Sequence, residues 1–133
     1  MNWQKIILSG HKTKSEKNKI MGKSLDEFNA YRKRMNKKLL DTDNKIIKRI
    51  FSIDNIAYSS GNLDAKTKEM LGLVSSLVLR CDDCINYHLI KCYENKVTRE
   101  EVLEVFGIAN LVGGTIVIPH TRRALDFWDE LEQ

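Results

Sequence analysis

Cys81-Asp82-Asp83-Cys84-Ile85-Asn86-Tyr87-His88 is the stretch on which the reading of this chain turns. Two cysteines separated by two residues at a helix start can close a disulfide without unfolding anything. The first would sit at the positive end of the helix dipole, which favours its thiolate. Cys84 and His88 are four apart and share one helix face. An imidazole with an ordinary pKa of about 6.5 is then placed to take and return the Cys84 proton, the pairing that thiol chemistry requires. Asp82 and Asp83 suit a first helical turn but oppose thiolate formation beside them. The helix is expected to run from about Cys81 to Asn95.

Working outward, Asp64 can cap a preceding helix that reaches about Leu79. Met70, Leu71, Leu73, Val74, Leu77 and Val78 cover much of its circumference, which predicts burial. Glu69 lies eleven residues before a turn at Arg80, and His88 lies eight after it. If the two helices pack antiparallel, at about 1.5 Å rise per residue, the two side chains reach similar heights. A carboxylate there would orient the His88 ring and raise its basicity. The alternative is an exposed Glu69 paired with Lys66 or Lys68.

The remaining pattern is helical. Ser24-Leu25-Asp26-Glu27 reads as a capping box, with Leu25, Phe28, Tyr31 and Met35 at helical spacing after it. Asn44 to Tyr58 carries Ile46, Ile47, Ile50, Phe51 and Ile53 as an apolar face, and Ser59-Ser60-Gly61-Asn62 stops it. Thr98-Arg99-Glu100-Glu101 is a second capping box. Gly113-Gly114 breaks the pattern before a last helix with Pro119 near its start. No stretch alternates with the period of a strand. One proline and seven glycines in 133 residues favour long helices. The expectation is an all-α domain of about six helices over residues 24–133, preceded by a Lys-rich arm over residues 1–23 that holds Trp3, Ile6, Ile7, Leu8 and His11.

Composition narrows the function classes. No apolar run approaches the roughly 20 residues of a membrane span, and Ile6-Ile7-Leu8 is too short for a signal peptide, so a cytoplasmic protein is expected. Residues 1–49 hold 14 of the 22 Lys and Arg but 5 of the 18 Asp and Glu. That asymmetry fits a solvated face or attraction to acidic protein surfaces better than nucleic-acid binding, because stacking aromatics are sparse there. Three cysteines are poor material for a structural disulfide framework. Zinc competes with redox chemistry for Cys81, Cys84 and His88, with Glu69 or His120 as a remote ligand. Cys92 cannot join Cys84 on one ion, since eight helical residues separate them by about 12 Å along the axis. It reads as a buried apolar packer, and His120 as a structural residue.

The segments Leu63-Asp64-Ala65-Lys66-Thr67-Lys68-Glu69, Cys81-x-x-Cys84-x-x-x-His88, Thr98-Arg99-Glu100-Glu101-Val102-Leu103-Glu104-Val105 and Gly113-Gly114 together resemble the carboxymuconolactone decarboxylase superfamily, within it the alkylhydroperoxidase D-like branch. The resemblance covers roughly residues 25–130. It implies a helical bundle built around a helical hairpin that carries the cysteine pair, assembled as a homo-oligomer, usually a trimer or hexamer. It implies a peroxidase acting on a hydroperoxide, with Cys81 and Cys84 cycling between dithiol and disulfide, Glu69 and His88 relaying the proton, and an external dithiol as reductant. It calls for no cofactor and no metal. The best-known branch members carry histidine where this chain has Asp83, and the decarboxylase branch generally lacks the cysteine pair. Between the cysteines, Cys84 is expected to attack because His88 is its base. Cys81 has the better helix-end position and the greater expected exposure. General thiol–disulfide exchange is the alternative activity, and a lyase using His88 and Glu69 stands behind both.

Overall fold

The computed structural model describes residues 14–133, with side chains from residue 24 onward. Within it, α1 spans Lys14–Asp41, α2 Lys45–Tyr58, α3 Ala65–Leu79, α4 Asp82–Glu94, α5 Arg99–Gly113 and α6 Ile118–Leu131, with a single 3₁₀ turn at Thr115–Val117 before α6. No strand occurs among the described residues. Trp3, Ile6, Ile7, Leu8 and His11 lie outside them.

Local chemistry sets most of the boundaries. Asn44 Oδ1 accepts from the Ile46 and Ile47 amides at the start of α2, and the Asp64 carboxylate accepts from Thr67 N–H at the start of α3. Thr98 and Glu101 exchange both bonds of a capping box at α5. The Ser24 expectation fails: α1 begins at Lys14, so Ser24 lies inside a 28-residue helix and caps nothing. A capping box is a short local signal, and here the helix continues through it. The Leu25 N–H is instead bonded by Glu130 Oε2 of α6 at 3.0 Å.

The core forms where α3, α4, α5 and α6 meet. Leu73, Leu77, Leu89, Cys92, Val102, Ala109 and Val117 are fully buried, with Trp128, Ala124 and Ile85 close behind. Each large apolar side chain contributes about 1.5–3 kcal/mol on leaving water. α3 is buried on one side only: Leu71 and Leu79 stand exposed. α1 adds Leu25 and Phe28, whose ring meets Phe127 edge-on at 5.8 Å. α2 buries no residue completely, and Ile46, Ile50, Ile53 and Ile56 of its apolar face remain exposed.

The α3–α4 hairpin positions the site. Arg80 adopts the left-handed conformation (φ 60°). Its amide and that of Cys81 bond back to Leu77 and Ser76 carbonyls, closing α3 in the manner of a left-handed cap. One residue later Cys81 caps α4. This tight turn makes α3 and α4 antiparallel neighbours.

Candidate functional site

Cys81 and Cys84 are joined as a disulfide across the first turn of α4, with their Cα atoms 5.3 Å apart. Cys81 occupies the cap position, where its sulfur accepts the Cys84 amide at 3.3 Å. The exposure order is the reverse of the expected one: Cys84 is exposed and Cys81 half-buried. A cap residue turns back over the helix end, whereas Cys84 sits one turn on, facing outward.

Glu69 and His88 meet inside the hairpin. Glu69 Oε2 lies 2.8 Å from His88 Nδ1, with both residues buried. The competing partners of Glu69 are engaged elsewhere: Lys66 pairs with Glu101 at 2.8 Å, and Lys68 donates to the Ser59 carbonyl. A carboxylate at Nδ1 fixes the tautomer in which Nδ1 carries the proton and Nε2 is the free base.

Sequence spacing did not reveal what faces Nε2. Tyr58, the last residue of α2, brings its hydroxyl to 3.4 Å from Nε2 and its ring to 5.0 Å from the imidazole centroid. Burial first, then the nearby Glu69 charge, pushes the Tyr58 phenol above its ordinary pKa, so the hydroxyl stays protonated. Gly72 on α3 leaves room for both groups. A Cβ there would stand 2.5 Å from His88 Cε1 and 2.7 Å from the Tyr58 hydroxyl. No local signal connects residues 58, 72 and 88, because only the packing of three helices brings them together.

A cleft of about 250 Å³ opens beside this group, lined by Cys84 and His88 together with Arg32, Ile50, Phe51, Asp54 and Tyr87. The Arg32 guanidinium lies over the Tyr87 ring, 3.9 Å from its centroid. The exposed sulfur and the buried base thus border one space.

The other candidate ligands are drawn away from it. His120 Nδ1 lies 2.7 Å from Asp82 Oδ1, and Arg123 holds the same carboxylate at 3.1 Å. Partial burial pushes the Asp82 carboxyl up, but the hydrogen bonds from His120 and Arg123 outweigh it and hold the pKa below the usual carboxylate range. Cys92 is fully buried, and burial pushes its thiol up to about 12, with Glu69 and Glu101 adding to the shift. Among the described residues no three His, Cys, Asp or Glu side chains are grouped so as to hold a metal ion.

A helical bundle whose central hairpin carries a cysteine pair at the start of one helix, backed by a buried glutamate–histidine pair, is a recognisable class. Residues 45–127 match the model of the carboxymuconolactone decarboxylase family, and the chain belongs to that family. A Thermotoga maritima protein of the family, for which an antioxidative response is suggested, has a crystal structure that superposes with a TM-score of 0.77. It is 48% identical, and the match covers 80% of this chain and 90% of that one. A family member from Legionella pneumophila, 24% identical, shares the fold with a TM-score of 0.77 over 83% of this chain and 98% of its own. An uncharacterised Cupriavidus necator protein is 31% identical over 75 residues, which are 56% of this chain and 66% of that protein, just short of two thirds of its length.

Proposed function

We propose that this protein is a thiol-dependent peroxidase of the alkylhydroperoxidase type. The observation that carries the reading is that Cys84, disulfide-bonded to Cys81, and His88, held at Nδ1 by buried Glu69, border the same cleft. The antioxidative response suggested for the Thermotoga maritima relative supports it.

In the reduced protein His88 takes the Cys84 proton at Nε2, and Glu69 stabilises the imidazolium. The Cys84 thiolate attacks one oxygen of a hydroperoxide ROOH. A sulfur–oxygen bond forms, the O–O bond breaks, and the departing alkoxide takes the proton from His88 and leaves as ROH. Cys84 is then a sulfenic acid. The Cys81 thiolate attacks that sulfur, a disulfide forms, and the hydroxyl leaves with one proton as water. An external dithiol exchanges with the disulfide and departs oxidised, restoring both thiols. The net change is ROOH plus dithiol to ROH, water and disulfide. Exposed Cys84 as attacker and half-buried Cys81 as resolver fit this order.

The exposed isoleucines of α2, with Leu111 and Val112 on α5, support assembly as a homo-oligomer. Among the described residues no helix is long and apolar enough to cross a membrane.

The test is hydroperoxide consumption with dithiothreitol as donor, for the native chain and for Cys84→Ser. Turnover that Cys84→Ser abolishes is the expected result. Rapid exchange with a protein disulfide without hydroperoxide turnover would instead make the protein a general thiol–disulfide oxidoreductase. Activity on a lactone surviving replacement of both cysteines would make it a lyase.

A further inference from the structure

We infer that the cleft beside Cys84 takes a hydroperoxide bearing a carboxylate, with Arg32 as the counter-ion; this rests on the peroxidase reading. Arg32 is half-buried at the cleft wall, and no carboxylate among the described residues forms an ion pair with it. The arrangement contrasts with Arg99, which pairs with Asp129 and Glu132, and with Arg123, which pairs with Asp82. The Arg32 guanidinium carbon sits over the Tyr87 ring, 3.9 Å from its centroid. A cation held over a ring is not neutralised by it, and a guanidinium has five N–H donors with which to meet a carboxylate. Ile50, Phe51 and Tyr87 supply an apolar wall in the same cleft as the sulfur and the cation. A small molecule with its peroxide at Cys84, a short hydrocarbon body and an anionic end at Arg32 matches that layout. Asp54 also lines the cleft and opposes ionisation of Tyr58 and Tyr87, so its charge counts against an anion there. Its exposure to solvent weakens that repulsion, and half-buried Arg32 has to outweigh it.

The matched probes are 3-hydroperoxy-3-methylbutanoate and its methyl ester, turned over by the full chain with dithiothreitol. The native protein is expected to favour the carboxylate by about tenfold in kcat/KM, a factor that corresponds to ~1.4 kcal/mol. The difference should reside in KM and shrink as salt rises. In Arg32→Gln the ratio should fall towards one. Because each ratio is measured within one variant, it does not depend on the fraction folded. Equal efficiency in the native protein, or an unchanged ratio in Arg32→Gln, overturns the inference while leaving the peroxidase reading intact. Turnover of neither probe overturns the peroxidase reading. The anion site is then decided by titrating the unreactive product 3-hydroxy-3-methylbutanoate against the disulfide form: binding that Arg32→Gln weakens upholds it, and equal binding to both forms removes it.

Discussion

Gly72 and His88 are in contact that no other residue at position 72 would allow, because a Cβ there would fall 2.5 Å from the imidazole Cε1. Glu69, one turn earlier on α3, reaches the same ring. The side of α3 facing α4 therefore fixes the ring twice, once by a bond and once by leaving space. Tyr58 occupies the same gap from α2.

Gly72→Ala follows directly. The methyl group must displace the imidazole or the phenol. Overpacking of this kind costs about 1–3 kcal/mol, so urea unfolding should show a loss in that range. Hydroperoxide turnover should fall by more than about tenfold even under conditions where the variant is fully folded, since a displaced base is a weaker one. Native turnover in folded Gly72→Ala would show that the position of the ring is immaterial.

Glu69→Gln separates charge from shape. The amide fills the same volume, so stability should change by less than about 1 kcal/mol. Without the negative charge the imidazolium loses its stabilisation, and turnover should drop by a factor on the order of 10². Glu69→Ala should add a stability loss of about 1–3 kcal/mol, because it leaves a buried ring nitrogen unpaired. Chemical denaturation beside steady-state assays of the two variants checks both parts.

Much of this frame is legible in the sequence, for reasons particular residues make clear. Asn44, Asp64, Thr98 and Pro119 act locally, within one turn of themselves, so they mark helix starts in the chain as they do in the fold. Glu69 and His88 are predictable because one tight turn relates them and helical rise does the rest. Ser24 misleads because a capping box does not report whether helix already precedes it. Tyr58 and Arg32 are illegible because they arrive from other helices, 30 and 55 positions from their partners His88 and Tyr87. Hydrophobic periodicity identifies the apolar face of α2 but not what covers it, and among the described residues Ile46, Ile50, Ile53 and Ile56 stay exposed.

Asp82 gives a pH prediction with a definite sign. Its folded pKa is depressed by His120 and Arg123, which outweigh the opposing effect of burial. The stabilisation is therefore present above the ordinary carboxylate value of about 3.9 and is lost as pH falls through the lower folded value. Asp82→Asn should lower Tm at pH 7. The gap between variant and native protein should narrow as pH is taken below about 4. Melting curves at pH 7, 5, 4 and 3 measure it; a gap that stays constant would mean the clasp between α4 and α6 contributes nothing through its charge.

Tyr58→Phe tests the hydroxyl alone. The ring contact with His88 survives and only the donor to Nε2 is lost, so the stability change should stay below about 1 kcal/mol. Turnover should fall by about threefold to tenfold, because the basic nitrogen is no longer aimed. The signature that packing alone would not produce is spectroscopic: the ¹⁵N resonance of unprotonated Nε2 in neutral His88 should move to the position of a nitrogen without a hydrogen-bond donor, while Nδ1, still bonded to Glu69, stays in place.

Cys92 bears on any attempt to count the reactive thiols. Its ordinary value would make it a slow but real competitor for alkylating agents at pH 8. Burial raises it to about 12 and also closes it from solvent, and the thiolate is the form that reacts. Reduced native protein treated briefly with iodoacetamide at pH 8 should therefore gain two carbamidomethyl groups, on Cys81 and Cys84, and a third only in denaturant. Hydroperoxide added first should abolish the fast pair and leave the denaturant-dependent one. Mass spectrometry of the intact chain and its peptides resolves all three sites. Fast labelling of Cys92 in the folded protein would mean that the α3–α4–α5 core opens far more readily than its packing implies.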